Sequence, residues 1–205
     1  MPQILKSFAF FQKLWYNLNI NEENEGETVV YLSYIYKPEA DQKELSRLGK
    51  ELLWRLVAHA GEKREELNII KGKNGRPCFE NCERLDFSIS HSNELVVCAL
   101  SIDEGKIGVD TEKRESTVRK EKQGQFAGRF FAGNEREILE KEPERFSEIW
   151  TRKEAYLKRL GTGIATDLRE VDTCRIPQSV RFETVFAEDH VITVCLSSEA
   201  RLEQI

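Results

Sequence analysis

The first half of the chain changes from a strand-like to a helix-like spacing of apolar residues. Residues 28–36 (TVVYLSYIY) are mostly β-branched and aromatic, which predicts a strand. Residues 41–61 then place leucines at every third or fourth position, which predicts a helix with Asp41 as N-cap and Gly61 at its end. After a turn-rich loop at residues 71–77, three apolar runs predict neighbouring strands: residues 85–90, 94–101 and 106–110.

The second half predicts two helices followed by two strands. A polar connection over residues 111–125 leads to a predicted helix at residues 129–142, with Asn134 as its candidate cap. A longer amphipathic helix is predicted to begin near Pro143 and to end at a glycine. The strands are predicted over two apolar runs, residues 180–187 and 191–197.

Helices and strands thus occur on both sides of a polar segment at residues 103–106. We expect an α+β fold of two comparable halves that share a core. The N-terminal half would comprise residues 1–104 and the C-terminal half residues 105–205, with the candidate metal and catalytic motifs in the second.

Composition narrows the function classes. The 205 residues are 40% hydrophobic and carry a net charge of −5, which argues against general nucleic-acid binding but permits a local basic pocket. No apolar run reaches membrane-spanning length, and residues 1–18 lack the cleavage site of a secretion signal. Five scattered cysteines indicate reduced thiols, so we expect a cytoplasmic protein.

Two carboxylates follow the apolar strand at residues 106–110. In an extended chain Asp110 and Glu112 point to the same side, and their mutual repulsion favours a bound cation. Their oxygen atoms suit magnesium, which usually keeps waters and substrate phosphates as its other ligands. A solvated turn is the alternative interpretation of this pair.

Charged residues also lie on or beside the apolar stripe of the helix after Pro143. Lys153 and Glu154 occupy positions that a core-facing helix normally avoids, with Lys158 one turn further on. One interpretation is a surface ion pair between Glu154 and Lys158 at i,i+4 spacing. The other is a site in which Glu154 supplies a third oxygen ligand and the two lysines meet phosphate.

The stretch FSISHS offers donors to an anion through Ser90, His91 and Ser92, although a single histidine is more often structural. A serine–histidine–acid protease is not supported, because no Gly-x-Ser-x-Gly motif is present. Cys78 and Cys82 lack the second pair of ligands that a zinc site needs.

The order of these motifs is more specific than any one of them. GRP, FSISHS, IGVDTEKRE, FFAGNEREIL and WTRKEAYLKRLGTGI follow one another between Gly75 and Ile164. Together they resemble the 4'-phosphopantetheinyl transferase superfamily, in its monomeric, surfactin-type branch. The resemblance implies a pseudo-dimeric fold of two similar halves, each with a small sheet packed on a helix.

The resemblance also implies a reaction. Family members use magnesium to transfer the 4'-phosphopantetheine arm of coenzyme A to a serine of an apo acyl or peptidyl carrier protein, releasing adenosine 3',5'-bisphosphate. It implies metal binding by Asp110, Glu112 and Glu154, with Glu154, Glu112 and Lys158 as catalytic residues. The residues implied to hold coenzyme A, mainly its phosphates, are Arg76, Ser90, His91, Lys153 and Lys158.

Several choices stay open at this stage. The base for the carrier serine is Glu154, or a water oriented by Glu112 or Glu135. Arg47 is a possible ligand of the coenzyme A 3'-phosphate. The basic stretch over residues 113–129 either docks an acidic carrier or is a solvated loop in front of core phenylalanines. The alternative function is a non-catalytic module that binds coenzyme A or a carrier protein, and a nucleotide hydrolase lacks its phosphate loop.

Overall fold

The structure is a computed structural model that describes residues 28–80, 82–114, 120–162 and 167–205. Within these ranges the strands are β1 Val29–Tyr36, β2 Ile69–Lys71, β3 Pro77–Phe79, β4 Leu85–Ser92, β5 Leu95–Ile102, β6 Gly108–Lys113, β7 Val180–Ala187, β8 His190–Ser197 and β9 Arg201–Gln204. The α-helices are α1 Gln42–His59, α2 Lys120–Phe130, α3 Gly133–Lys141 and α4 Phe146–Leu160. In the described part of the chain, no helix is long and apolar enough to cross a membrane.

Two sheets enclose the central core. The first has the strand order β4-β5-β1-β9, in which only the β1–β9 pair is parallel, and the second has the antiparallel order β6-β8-β7. Apolar side chains of β1, β5, β6 and β8 fill the space between the sheets. Helix α1 packs on the other face of the first sheet, and α4 packs on β6 and β8 of the second. The predicted α+β fold of two sheet-and-helix halves is confirmed, and β9 extends the first sheet from the end of the chain.

Most predicted elements are present, and their ends follow local chemistry. Asp41 caps α1, since its carboxylate accepts the N–H of Glu44 at 2.7 Å. Gly161 ends α4 in the left-handed conformation with φ of 66°, a conformation that glycine adopts without steric cost.

Two predictions about elements are wrong, and a third is confirmed only in part. The run at residues 106–110 lies beside β4, as predicted for neighbouring strands, but its backbone pairs with β8 in the other sheet. The polar connection is shorter than predicted, since β6 continues to Lys113 and α2 begins at Lys120. Asn134 does not cap α3: the cap is Ala132, whose N–H donates to Glu135, while Asn134 donates to Asp172.

The two sheets meet at their edge strands, β4 and β6, and this junction is called the seam below. Every second residue of β4 is polar, and these side chains contact β6 in place of a backbone ladder. Asp86 accepts the N–H of Ile107 at 2.9 Å, and Ser88 accepts the N–H of Val109 at 3.0 Å. Buried edge N–H groups are therefore satisfied across the seam, which fixes the position of β6 beside β4.

Helix α4 lies so close to β6 that only glycine fits at position 108. A Cβ atom at Gly108 would stand 1.9 Å from the carbonyl oxygen of Ala155, a backbone atom that no side-chain rotation can move away. We expect Gly108→Ala to lower the free energy of unfolding by about 3 kcal/mol, measured by urea denaturation, because α4 must shift outward. Gly124→Ala in α2 is the control, since an added Cβ there meets nothing within 4 Å. That variant is expected to stabilise the helix by up to about 1 kcal/mol, and equal losses in both variants would contradict the prediction.

Candidate functional site

Asp110 is the centre of a polar cluster where β4, β6 and α4 meet. Its Oδ1 atom accepts hydrogen bonds from the Ser90 hydroxyl at 2.7 Å and from the Lys158 ammonium at 2.8 Å. Lys158 also donates to the carbonyl of Val109 at 3.0 Å. The Oδ2 atom of Asp110 is buried without a hydrogen-bond partner. A buried carboxylate oxygen that lacks a donor is costly, and such atoms often mark a place for a ligand or ion.

Glu112 and Glu154 extend the acidic cluster from β6 and α4. The Ser92 hydroxyl donates to Glu112 at 2.9 Å, and the indole of Trp150 lies close enough to the same carboxylate to lower its pKa. Burial first, and then the negative charge of Asp110, raise the pKa of Glu112 to about 6. The same two causes, in the same order, raise the pKa of Glu154 above its ordinary value. Asp110 therefore acts on both glutamates, so each of the two lies within electrostatic reach of Asp110.

The raised pKa of Glu112 predicts how stability depends on pH. In the metal-free protein this pKa is about 6, against an ordinary value of 4.5, so the folded state binds a proton more readily than the unfolded chain. Protonation of Glu112 therefore favours folding as the pH falls from 6 to 4.5. We expect the free energy of unfolding of the wild type, minus that of Glu112→Gln, to rise over this window and then level off. Urea denaturation with chelator present measures the difference, and a flat difference would contradict the prediction.

The structure does not bring Lys153 to this cluster. Its side chain is 0% exposed, and its ammonium lies 2.8 Å from the carboxylate of Glu135, which is also 0% exposed. The same ammonium donates to the carbonyls of Leu168, at 2.8 Å, and Val171. All three donors of Lys153 are thus used inside the protein. This corrects the expectation that Lys153 holds a phosphate: it anchors the segment after α4.

Glu135 is equally committed to the interior. One carboxylate oxygen accepts the N–H of Ala132 at 2.8 Å, and the other accepts the N–H and hydroxyl of Thr173 at 3.1 and 2.6 Å. A carboxylate with these donors and no exposed surface has no access to a carrier serine. Glu135 is therefore removed from the candidate bases.

Arg76 and His91 also lie apart from the carboxylates. The guanidinium of Arg76 forms two hydrogen bonds to Asp86, at 2.7 and 2.5 Å, and donates to the backbone carbonyls of Ile107, just before β6, and Lys158 in α4. Its nitrogens are thus engaged within the protein, contrary to the expected phosphate contact. His91 is half-buried and alternates with Ser90 along β4, so it points to the face that α1 covers.

The basic stretch and its phenylalanines have different roles. Lys113 pairs with Asp189 at 2.8 Å and with Glu94 at 3.4 Å, so this lysine is not free for a carrier. The phenylalanines at 126, 130 and 131 stack with one another and with Phe146 and Trp150, as the alternative interpretation of core residues expects. Arg119, Gly163 and Ile164 lie outside the described residues.

The carboxylate oxygens of the cluster are suitable ligands for a metal ion, but their side chains do not converge on one point in this structure. Among the described residues, no three acidic, histidine or cysteine side chains are arranged to hold a metal. Lys158 supplies the positive charge at Asp110 instead. The unpartnered Oδ2 atom of Asp110 and the raised pKa values of both glutamates are nevertheless what a site prepared for a divalent cation has before the ion binds.

Sequence reasoning missed two contributors to this site. Ser92 was considered only as an anion donor, and Trp150 only as part of the apolar stripe, whereas Ser92 hydrogen-bonds Glu112 and the Trp150 indole lies close enough to lower the pKa of Glu112. The alternation of Asp86, Ser88, Ser90 and Ser92 was the available signal. Four polar residues on one face of a strand indicate that this face meets a polar partner.

The fold and the site together define an α+β protein with an acidic, lysine-containing site at the seam of two halves. The profile of the 4'-phosphopantetheinyl transferase superfamily matches residues 106–203. The chain is 32% identical to the 4'-phosphopantetheinyl transferase AcpT of Salmonella typhi over 153 residues, which cover 72% of this chain and 73% of AcpT. The chain therefore belongs to the 4'-phosphopantetheinyl transferase superfamily.

Other relatives match over shorter segments. The chain is 33% identical to the 4'-phosphopantetheinyl transferase Sfp of Bacillus subtilis over 110 residues, which cover 51% of this chain and 46% of Sfp. It is 38% identical to the 4'-phosphopantetheinyl transferase HetI of a Nostoc species over 96 residues, which cover 44% of this chain and 38% of HetI. The matches thus span less than half the length of Sfp and HetI. The similarity to Sfp agrees with the surfactin-type resemblance of the motifs.

Proposed function

We propose that this protein transfers the 4'-phosphopantetheine arm of coenzyme A to a serine of an apo acyl or peptidyl carrier protein, with adenosine 3',5'-bisphosphate as the other product. Membership of the superfamily supports the reaction class. The observation that carries the proposal is the joining of three carboxylates and Lys158 at one seam. Transfer of a phosphorylated group depends mainly on positioning and on neutralising charge, and this cluster offers both.

Magnesium is the proposed metal, held by Asp110, Glu112 and Glu154. Its fit rests on the hard oxygen donors, on the unpartnered Oδ2 atom of Asp110 and on the glutamates whose pKa values are raised. When bound, the ion would neutralise the charge of the coenzyme A pyrophosphate and stabilise adenosine 3',5'-bisphosphate as the leaving group.

Lys158 is proposed to act on the phosphates from the same side. Its side chain is about one-third exposed, and its ammonium lies 2.8 Å from Asp110. A phosphate that enters the seam can therefore bind this ammonium, either in place of Asp110 or together with it. Lys158 then neutralises negative charge that increases on the leaving group, a role that a fixed positive charge fills well.

The remaining candidates for accepting the proton of the carrier serine are Glu154, Glu112 and a water that Glu112 orients. A carboxylate whose pKa is raised is a stronger base, and both glutamates meet this condition. Ser90 orients Asp110. His91 is proposed to contact the adenine-side phosphates of coenzyme A from the α1 face, where it is half-buried.

We also propose that the protein acts in the cytoplasm as a monomer. The five cysteines are unpaired thiols, which suits a reducing compartment. The two halves that build the seam are present in one chain, so the site needs no second copy.

The proposal is tested by the intact mass of an apo carrier protein after incubation with this protein, coenzyme A and magnesium. A gain of one phosphopantetheine arm that chelation abolishes is the expected result. No gain on any of several acyl and peptidyl carriers, with coenzyme A still bound, would overturn the proposal in favour of a non-catalytic binding module.

A further inference from the structure

A loop of the first half caps the helix that carries the candidate site. The last carbonyls of an α-helix lack partners within the helix. At the end of α4, the side chain of Asn74 donates to the carbonyl of Gly161 at 2.8 Å, and the Nε atom of Arg76 donates to the carbonyl of Lys158 at 3.0 Å. The turn-rich loop that the sequence predicted thus provides the C-terminal cap of α4 from across the seam.

Arg76 is itself held rigidly in this position. Asp86 binds both of its terminal nitrogens, at 2.7 and 2.5 Å, and the pair is mostly buried, with 15% of the arginine and 11% of the aspartate side chain exposed. The same guanidinium donates to the carbonyls of Phe87 at 3.2 Å and Ile107 at 3.0 Å. A two-pronged, charge-assisted bond of this kind fixes direction as well as distance.

Arg76 contacts the carbonyls of two segments: the one that leads into β6, where Asp110 lies, and the last turn of α4, where Lys158 lies. Ile107 is in the segment that leads into β6, and Lys158 is on the last turn of α4. Lys158 in turn donates to Asp110 and to the carbonyl of Val109. One guanidinium therefore sets the separation between the strand that carries two candidate ligands and the helix residue whose ammonium must reach them.

We propose that Arg76 is a positioning residue that locks the end of α4 against β6, so that Lys158 reaches Asp110, and that it does not itself bind a substrate phosphate. The inference rests on the proposed function for its consequence in catalysis, but its geometry is independent of that function. A guanidinium that binds phosphate needs N–H groups that point to solvent, whereas each of the three nitrogens of Arg76 already donates to a protein acceptor.

The two roles make opposite predictions for Asp86→Asn. If Arg76 positions α4, removing the charge of Asp86 loosens the guanidinium and reproduces the effect of Arg76→Lys. If Arg76 binds phosphate, removing Asp86 frees it, and the KM for coenzyme A stays the same or falls. Arg76→Lys keeps the charge but cannot form the two-pronged bond, so it separates charge from geometry.

The experiment measures kcat and KM for coenzyme A in Arg76→Lys, Asp86→Asn, Lys158→Ala and the Arg76→Lys/Lys158→Ala double variant. We expect Arg76→Lys and Asp86→Asn, the two seam variants, to lower kcat by about 10²-fold, the loss typical of a small misplacement of reacting groups. Their KM for coenzyme A should stay within about threefold of the wild type. In the Lys158→Ala background, Arg76→Lys should change kcat by less than about twofold, because its effect acts through Lys158. Arg84→Lys is the matched control, since Arg84 forms exposed ion pairs with Glu62 and Asp103.

Two outcomes would overturn the proposal. One is an increase of KM by more than about tenfold in Arg76→Lys with kcat retained and KM unchanged in Asp86→Asn, which would make Arg76 a phosphate ligand. The other is full additivity of the Arg76 and Lys158 substitutions. If the wild type transfers nothing, the proposed function fails, and the position of Lys158 is then tested by nuclear magnetic resonance of its ammonium protons. Protection from exchange in the wild type, lost in both seam variants, supports the positioning role, and protection retained in them overturns it.

Discussion

Glu154→Ala is expected to lower the rate of phosphopantetheine transfer by about 10³-fold or more, with the free energy of unfolding within about 1 kcal/mol of the wild type. The rate falls because the variant loses one of three carboxylates that hold the proposed metal and one of two candidate bases. Stability is retained because burial and the charge of Asp110 already disfavour the ionised form of Glu154, as its raised pKa shows.

Single-turnover transfer to an apo carrier, followed by intact mass, measures this effect. Glu148→Ala is the matched control on the same helix, because Glu148 forms partly exposed ion pairs with Arg145 and Arg152 and no contact with the acidic cluster. The control is expected to keep the wild-type rate and to lose less than about 1 kcal/mol of stability. Full activity in Glu154→Ala would remove the carboxylate cluster from the mechanism.

Lys153→Met should destabilise the protein by about 3–5 kcal/mol, the usual cost of removing one member of a buried ion pair. The methionine fills the space of the lysine stem, but it leaves the fully buried carboxylate of Glu135 without its countercharge. It also leaves two carbonyls of the segment after α4, at Leu168 and Val171, without their donor. Urea denaturation measures the loss.

The Lys153→Met/Glu135→Gln double variant serves as the control for charge. It removes both charges and keeps a side chain that still accepts hydrogen bonds, so it should recover part of the loss, and the cycle of four proteins gives the coupling energy. If Lys153→Met unfolds like the wild type but binds coenzyme A more weakly, then Lys153 is a phosphate ligand after all.

Secondary structure was largely predictable because its signals are local. The strand at Val29–Tyr36 and the helix at Gln42–His59 follow from the spacing of apolar residues, and the ends of helices follow from Asp41 and Gly161. Helix α2 was missed because its sequence, KEKQGQFAGRF, contains two glycines and few apolar residues. Its phenylalanines become a helical face only when they stack on Trp150 of α4.

Sheet membership was not predictable from the same signals. The run that became β6 looks like a third strand of the first sheet, yet it pairs with β8, more than eighty residues later in the chain. Apolar periodicity defines a strand's two faces but not its neighbours, because backbone hydrogen bonds do not depend on which side chains are present. On the edge of β6 that faces β4, the side chains of Asp86 and Ser88 accept the backbone N–H groups that no neighbouring strand pairs.

The sequence predicted Asp110, Glu112, Glu154 and Lys158 as site residues, and the structure brings Lys158 and both glutamates within reach of the charge of Asp110. What only the tertiary structure decided is which charges share that seam. Lys153 and Glu154 are adjacent in the sequence, but successive residues of a helix point about 100° apart, so one side chain enters the interior and the other the acidic cluster. The sequence determines the charge of each side chain and its angle around the helix axis. The residues that it contacts in that direction come from distant parts of the chain, so only the tertiary structure determines them.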